Sequence, residues 1–208
     1  MKKRWIISLG LIMAFQQIYA QNSLITKSGL EVACKMADSE IQQFPEPWTV
    51  DFNSAPTWNY TQGLVAQSMM QVWQASGNEK YLHYAQKYAD KFISPDGNID
   101  QYDLNDYNID AVNSGKFLFA LYEKTKDERY LKATRILREQ LKTQPRTLEG
   151  GFWHKKRYPY QMWLDGLYMG APFYAQYASY FKEPNLFDDV GNQFVFVHKH
   201  TYNPSTGL

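Results

Sequence analysis

The sequence predicts an all-α protein made of repeated helical hairpins, and three observations carry that expectation. Past the first 20 residues strand signals are scarce. Apolar residues instead recur at three-and-four spacing through 62–75, 80–93, 114–124, 128–142, 165–181 and 185–199, the period that turns one face of a helix toward a core. The six segments also fall into pairs, and the connections between them alternate between short polar turns and long links.

Taken in order, the first hairpin joins 62–75 to 80–93 across "SGNEKYL" (76–82). The second joins 114–124 to 128–142 across "TKDERYL" (125–131), and the third joins 165–181 to 185–199 across "FKEPNLF" (181–187). Tyr81, Tyr130 and Leu186 occupy the same place in each, spaced by 49 and 56 residues. A period of that size means hairpins set side by side, each burying its apolar face on its neighbours. The links at 94–113 and 143–164 are rich in Gly, Pro and aromatics. Long ordered loops of that composition are usually functional, and two on the same end of a repeat form one surface. A third link opens at His200 with "HTYNPSTGL". A turn of that kind ordinarily enters another element, so the chain reads as the N-terminal part of a larger repeat.

The chain begins MKKRWIISLGLIMAFQQIYAQ, a basic head, an apolar run over 5–15 and the small residue Ala20. This is the pattern of a secretory signal over 1–20, too short to span a bilayer, and it directs the rest of the chain, 21–208, to the periplasm or outside the cell. The fit is imperfect, since Ile18 is bulkier than the cleavage pattern favours. Residues 1–20 hold three of the 22 basic residues and none of the 21 acidic ones, leaving 19 against 21. A net charge of about −2 argues against nucleic acid or an anionic membrane as partner. Cys34 is the only cysteine, so stability is expected from packing and not from internal disulfides. Rings make up 16% of the residues and often sit beside polar side chains, a composition suited both to helix packing and to sugar clefts.

Two carboxylates stand where a long link enters the first helix of a hairpin, Asp110 in "YNIDAVNSGK" and Asp165 in "QMWLDGLYMG". They are 55 residues apart, about one repeat, and should therefore face one cavity. One reading is general acid–base chemistry on a sugar, with burial letting one of the two hold a proton. The other is that each Asp simply caps its helix. Trp58 and Tyr60 fall at the corresponding place before the first hairpin. His154 heads the basic run Lys155, Lys156, Arg157, which suits either a substrate carboxylate or a solvated loop. His198 and His200 lack a third ligand nearby, so no metal is expected, and His83 is expected on the outside. Glycine-rich phosphate loops, G-x-S-x-G and a cysteine–histidine nucleophile pair are not present.

The segment "GGFWHKKRYPYQMWLDGLYMGAPFYAQYA" (150–178), with "YNIDAVNSGKFLFALYEKT" (107–125) and "WNYTQGLVAQSM" (58–69), resembles the unsaturated rhamnogalacturonyl hydrolases of glycoside hydrolase family 105. The resemblance runs along essentially the whole chain past residue 20. It implies an (α/α)6 toroid of which about three hairpins of six are present, so that 21–208 is the N-terminal part of one domain. It also implies a substrate, an oligosaccharide ending in a 4,5-unsaturated galacturonate, as left on pectin by a lyase. Such enzymes need no cofactor.

By the same resemblance Asp165 matches the general acid/base and Asp110 the second carboxylate. Trp163, His154 and Lys155 match the uronate subsite, and Tyr60 matches it less closely. Further site residues of the family fall past Leu208. An arc of three hairpins would expose two apolar flanks, so self-association and weak or absent activity are expected of this chain alone. The related unsaturated glucuronyl hydrolases share fold and chemistry, and a non-catalytic repeat protein binding sugar or protein is the alternative outside enzymes.

Overall fold

The computed structural model describes residues 29–207; the signal segment expected over 1–20 lies outside them. The regular structure of the described residues is helical, joined by turns and long links, with two isolated β-bridges. Helix α1 covers 29–43. It is followed by α2 (Tyr60–Ser76), α3 (Glu79–Phe92), α4 (Ile109–Asn113), α5 (Lys116–Thr125), α6 (Glu128–Thr143), α7 (Leu164–Tyr180) and α8 (Leu186–Thr201). The six expected segments are α2, α3, α5, α6, α7 and α8; α4 falls inside 94–113, where a link was expected. Helix α1 lies outside them. None of the described helices is long and apolar enough to cross a membrane.

The first helices of the hairpins, α2, α4–α5 and α7, pack side by side as one layer, and each second helix packs behind its partner. Within each hairpin the turn repeats in its backbone. Gly77, Lys126 and Lys182 all adopt a left-handed φ, of 71°, 57° and 56°, at the same 49- and 56-residue spacings as Tyr81, Tyr130 and Leu186. Two of the turns then start the next helix alike, Asn78 accepting from Lys80 N at 3.2 Å and Asp127 from Arg129 N at 3.1 Å. Each such cap satisfies an otherwise orphaned helix donor.

A repeated clamp laces α3 to α1 and α6 to α3. Tyr81 Oη donates to Asp38 on α1 at 2.9 Å, and Lys80 pairs with the same carboxylate. One repeat later Tyr130 Oη donates to Asp90 on α3 at 2.6 Å, with Arg129 pairing there. The Tyr rings are buried and their hydroxyls reach the edge of the core, so one side chain serves both packing and polar satisfaction.

The links repeat too. Each opens with a tight reversal closed by a single bridge, Ile93 with Ile99 and Arg146 with Phe152, around Gly97 (φ 84°) and Gly150 (φ 104°). The end of α8 lies against the second of them, since Lys199 and His200 both pair with Glu149. The three links therefore share one end of the layers, as the alternation in the sequence predicts.

Helix approach is closest where that end meets the core. A Cβ on Gly63 of α2 would stand 2.2 Å from Ser114 Oγ, and Ser114 Oγ donates to Asn59 O at 2.6 Å. The break between α4 and α5 falls here, at Ser114–Gly115. Trp58 does not join the aspartates, despite its matching place in the repeat. Its ring is buried, stacked on Tyr88 at 5.5 Å, and its Nε1 donates to Ala111 O at 3.0 Å. Large apolar side chains are exposed at both ends of the arc, Val32, Met36 and Leu64 at one and Leu148, Leu164, Phe194 and Val195 at the other.

Candidate active site

Asp110 and Asp165 hold equivalent places, each the second residue of its helix. Neither is the cap. Asn108 fills that role for α4, accepting from Asp110 N at 3.1 Å, and Trp163 precedes α7 at the cap position without a side-chain cap bond. Both carboxyls still benefit from the positive end of a helix. The capping reading of the two aspartates is thereby removed.

The second link, 143–164, brings the remaining groups over α4. Gln144, at the end of α6, donates through Nε2 to Tyr107 O and Trp153 O, both at 2.8 Å. Its own Oε1 is held by Gln140, which in turn accepts from Tyr102. The backbone continues the work: His154 N donates to Gln161 O, Ile109 N to His154 O and Lys156 N to Asp106 O. Buried polar groups so fully paired hold one geometry. The site is assembled on that frame.

Asp110 is buried, 6% exposed, and faces two cations or potential cations. Lys155 Nζ stands 2.5 Å from Oδ2, and His154 Nε2 stands 3.2 Å from Oδ1. The His154 contact is close but poorly aligned, and Oδ1 keeps an unfilled acceptor. Burial by itself pushes the Asp110 carboxyl up. His154 and Lys155 outweigh it, through hydrogen bonding and charge, and the net effect holds the group below the usual carboxylate range. Asp110 is thus a resident anion, suited to orienting water or accepting a proton and poorly suited to donating one.

Asp165 joins this pair from α7. One donor atom from each of Asp110, His154 and Asp165 lies within 4.8 Å of the other two. The convergence expected from the repeat is therefore present. The burial expected for Asp165 is not: its side chain is exposed, as is Leu164 beside it. Leu164, its apolar neighbour, is itself 69% exposed and does not enclose it. Three such donors could ligate a small cation, although no metal is expected from the sequence. The Lys155 ammonium already supplies positive charge against Asp110, and an incoming cation would have to compete with it.

Trp163 forms the wall. Its ring stacks on His154 at 4.3 Å and 8°, and on Tyr158 at 4.9 Å and 24°, while Nε1 donates to Gln161 at 3.0 Å. Gly166 permits the stack, because a Cβ there would approach His154 Nδ1 to 3.1 Å. Trp163 keeps 38% of its surface exposed, a pinned ring with a free portion for a sugar face. Tyr60, first residue of α2, stands at the rim with its ring exposed, and its carbonyl accepts from Asn113, one turn beyond Asp110.

The other histidines lie elsewhere. His198 stacks on Tyr202, His200 pairs with Glu149, and His83 is exposed on α3. Gln144, Tyr158 and Gly166 go unforeseen from sequence. Tyr158 alone carried a signal, as one of the rings in the dense stretch after His154.

Comparison with known proteins gives concordant results. The model of Glycosyl Hydrolase Family 88 matches residues 32–208. A family 105 glycoside hydrolase of C. acetobutylicum ATCC 824 superposes with a TM-score of 0.77 at 42% identity, over 85% of this chain and 47% of its own. A possible member of that family from Klebsiella pneumoniae subsp. pneumoniae MGH 78578 superposes at 0.60 with 19% identity, over 73% and 39%; at that identity it shows the fold alone. The chain spans about half the length of the first structure and less of the second. Its two layers are about three of the six hairpins of an (α/α)6 toroid.

Proposed function

The chain belongs to Glycosyl Hydrolase Family 88, and from that premise we propose that it carries the acid–base half of a hydrolase acting on unsaturated uronyl oligosaccharides. The substrate proposed is a rhamnogalacturonan fragment ending in a 4,5-unsaturated galacturonate. The observation that carries this reading is the meeting of Asp110, His154 and Asp165 beside the partly exposed ring of Trp163. We place the protein outside the cytoplasm on the strength of its first 20 residues.

The reaction proposed is hydration. Asp165, the accessible carboxyl, delivers a proton to C4. Water adds at C5 and returns its proton to the carboxylate, while Asp110, kept anionic by Lys155 and His154, orients that water. The resulting C5 hemiketal opens to a ketone, and the hemiacetal left at C1 releases the aglycone as an alcohol. Trp163 covers the sugar face, and Lys155 lies where it can attract the uronate carboxylate.

The test is the loss of ultraviolet absorbance of the conjugated uronate in a chain containing this segment. Unsaturated galacturonyl-rhamnose should be consumed. An unsaturated glucuronyl disaccharide tests the second reading, that the preferred sugar is glucuronate. Turnover of neither, in a folded chain complete enough to close the cleft, would leave only a sugar- or protein-binding repeat.

A further inference from the structure

Two cations of the basic run are not used by the site just described. Lys155 is paired with Asp110, but Lys156 and Arg157 are exposed and form no ion pair among the described residues. Both line a cavity of about 400 Å³, together with Asp106, Asn108 and Lys155. Lys155 thus belongs to both places. Its ammonium meets Asp110 and its side chain walls the neighbouring cavity, so the two are contiguous.

The pair is also held in position, unlike a freely solvated loop. Lys156 N donates to Asp106 O at 3.1 Å. The Arg157 guanidinium lies over the Tyr158 ring at 4.9 Å, Tyr158 stacks on Trp163 and Trp163 on His154. One ladder of stacked groups therefore fixes Arg157 with respect to the uronate-binding wall. Asp106 is the single carboxylate in the cavity, which leaves an excess of positive charge.

We propose that this cavity is a second anionic subsite, taking the carboxylate of a further acidic sugar in the chain attached to the terminal uronate. The inference rests on the hydrolase reading for its ligand class. It adds that the preferred oligosaccharide is acidic beyond its first residue. An exposed cation pair, one of them a planar fork able to grip a carboxylate with two donors, gives selectivity by charge more than by tight binding.

The experiment is calorimetric titration of the chain at low salt with trigalacturonate and with the same trisaccharide after reduction of its carboxyls to alcohols. The parent chain should favour the acidic probe, and the preference should fall as salt is raised. Lys156→Ala with Arg157→Ala should cut that preference about tenfold and leave the neutral probe's affinity unchanged, as expected for two exposed charge contacts. Lys156→Arg with Arg157→Lys, which keeps both charges, should retain most of it. The proposal is overturned if the parent chain shows no preference, if the alanine pair keeps it, or if the alanine pair weakens both probes alike. Because the readout is binding, a chain that hydrates unsaturated uronates without preferring the acidic probe sinks this subsite alone. A chain extended enough to close the cleft that prefers the acidic probe without turning over an unsaturated uronate sinks the catalytic reading alone.

Discussion

Lys155 places its ammonium 2.5 Å from the Asp110 carboxylate, in a site where only 14% of the lysine side chain and 9% of the aspartate side chain remain exposed. The pair lies at the point where the second link closes over α4, so the same contact neutralises a buried charge and fastens the link to the hairpin.

Lys155→Met should therefore destabilise the chain by about 3 kcal/mol, the usual result of leaving one buried partner uncompensated. Adding Asp110→Asn should recover much of that loss. Urea midpoints of the two single variants and the double variant test this; additive losses would mean that the two side chains do not act as a pair.

Asp110 and Asp189 should together set the acid limit of stability. Burial raises both, but His154 and Lys155 at Asp110, and Arg146 with Tyr174 and Gln193 at Asp189, bring each below the usual range. A depressed carboxyl stabilises the fold above its unfolded pKa, near ~4, and loses that contribution as pH falls through the folded value. Melting temperature should drop below pH ~4 in the parent chain. Asp189→Asn should shallow the drop, and an unchanged slope would exclude the Arg146–Asp189 pair as a contributor.

Lys116 predicts an effect at the alkaline side. Burial lowers its ammonium from 10.5 to about 8, and it lies 4.0 Å from the centre of the Tyr168 ring without a carboxylate partner among the described residues. Between about 8 and 10.5 the unfolded chain binds more protons than the folded one, so this group makes stability rise with pH across that window. Lys116→Met should flatten the rise and raise stability at pH 7. A less stable variant at pH 7 would show that the contact with Tyr168 outweighs the burial of the charge.

Much of this architecture was legible because it is periodic. The hairpins, their turns at Gly77, Lys126 and Lys182, and the matched positions of Asp110 and Asp165 all follow from one spacing. Helix α1 was missed: Leu30, Ala33, Cys34, Ala37 and Ile41 carry the helical spacing, but it stands before the first full hairpin and outside the repeat. What could not be read was burial. Asp110 and Asp165 have similar neighbours in sequence, yet the link that carries His154 and Lys155 folds over the first and leaves the second open. That difference depends on Gln144, a lone polar residue at a helix end, and on Gly166, whose missing side chain lets His154 stack on Trp163.

Two glycines should respond oppositely to the same change. Gly63→Ala puts a Cβ 2.2 Å from Ser114 Oγ and 2.5 Å from Ser114 Cα, and since backbone is part of the obstacle α2 must shift, at about 1–3 kcal/mol. Gly191→Ala, exposed within α8 and with nothing within 4 Å, should stabilise by about 0.5–1 kcal/mol through helix propensity. Thermal denaturation of both variants decides it; tolerance at Gly63 would mean that α2 and α4 are not in close contact.

The two aspartates should separate by what is measured. Asp165 is exposed and forms no ion pair among the described residues, so Asp165→Asn should leave the urea midpoint near that of the parent. If it is the proton donor, the same change should lower hydration of an unsaturated uronate about 10²–10⁴-fold, the range general acid catalysis supplies. Asp110→Asn should reduce turnover too, but it also leaves Lys155 buried without its carboxylate and so should move the midpoint. The assay requires a chain that includes this segment and consumes the substrate, with loss of ultraviolet absorbance followed beside unfolding. Near-parental turnover by Asp165→Asn in such a chain would remove it as the acid and leave Asp110 or His154 to be tested in its place.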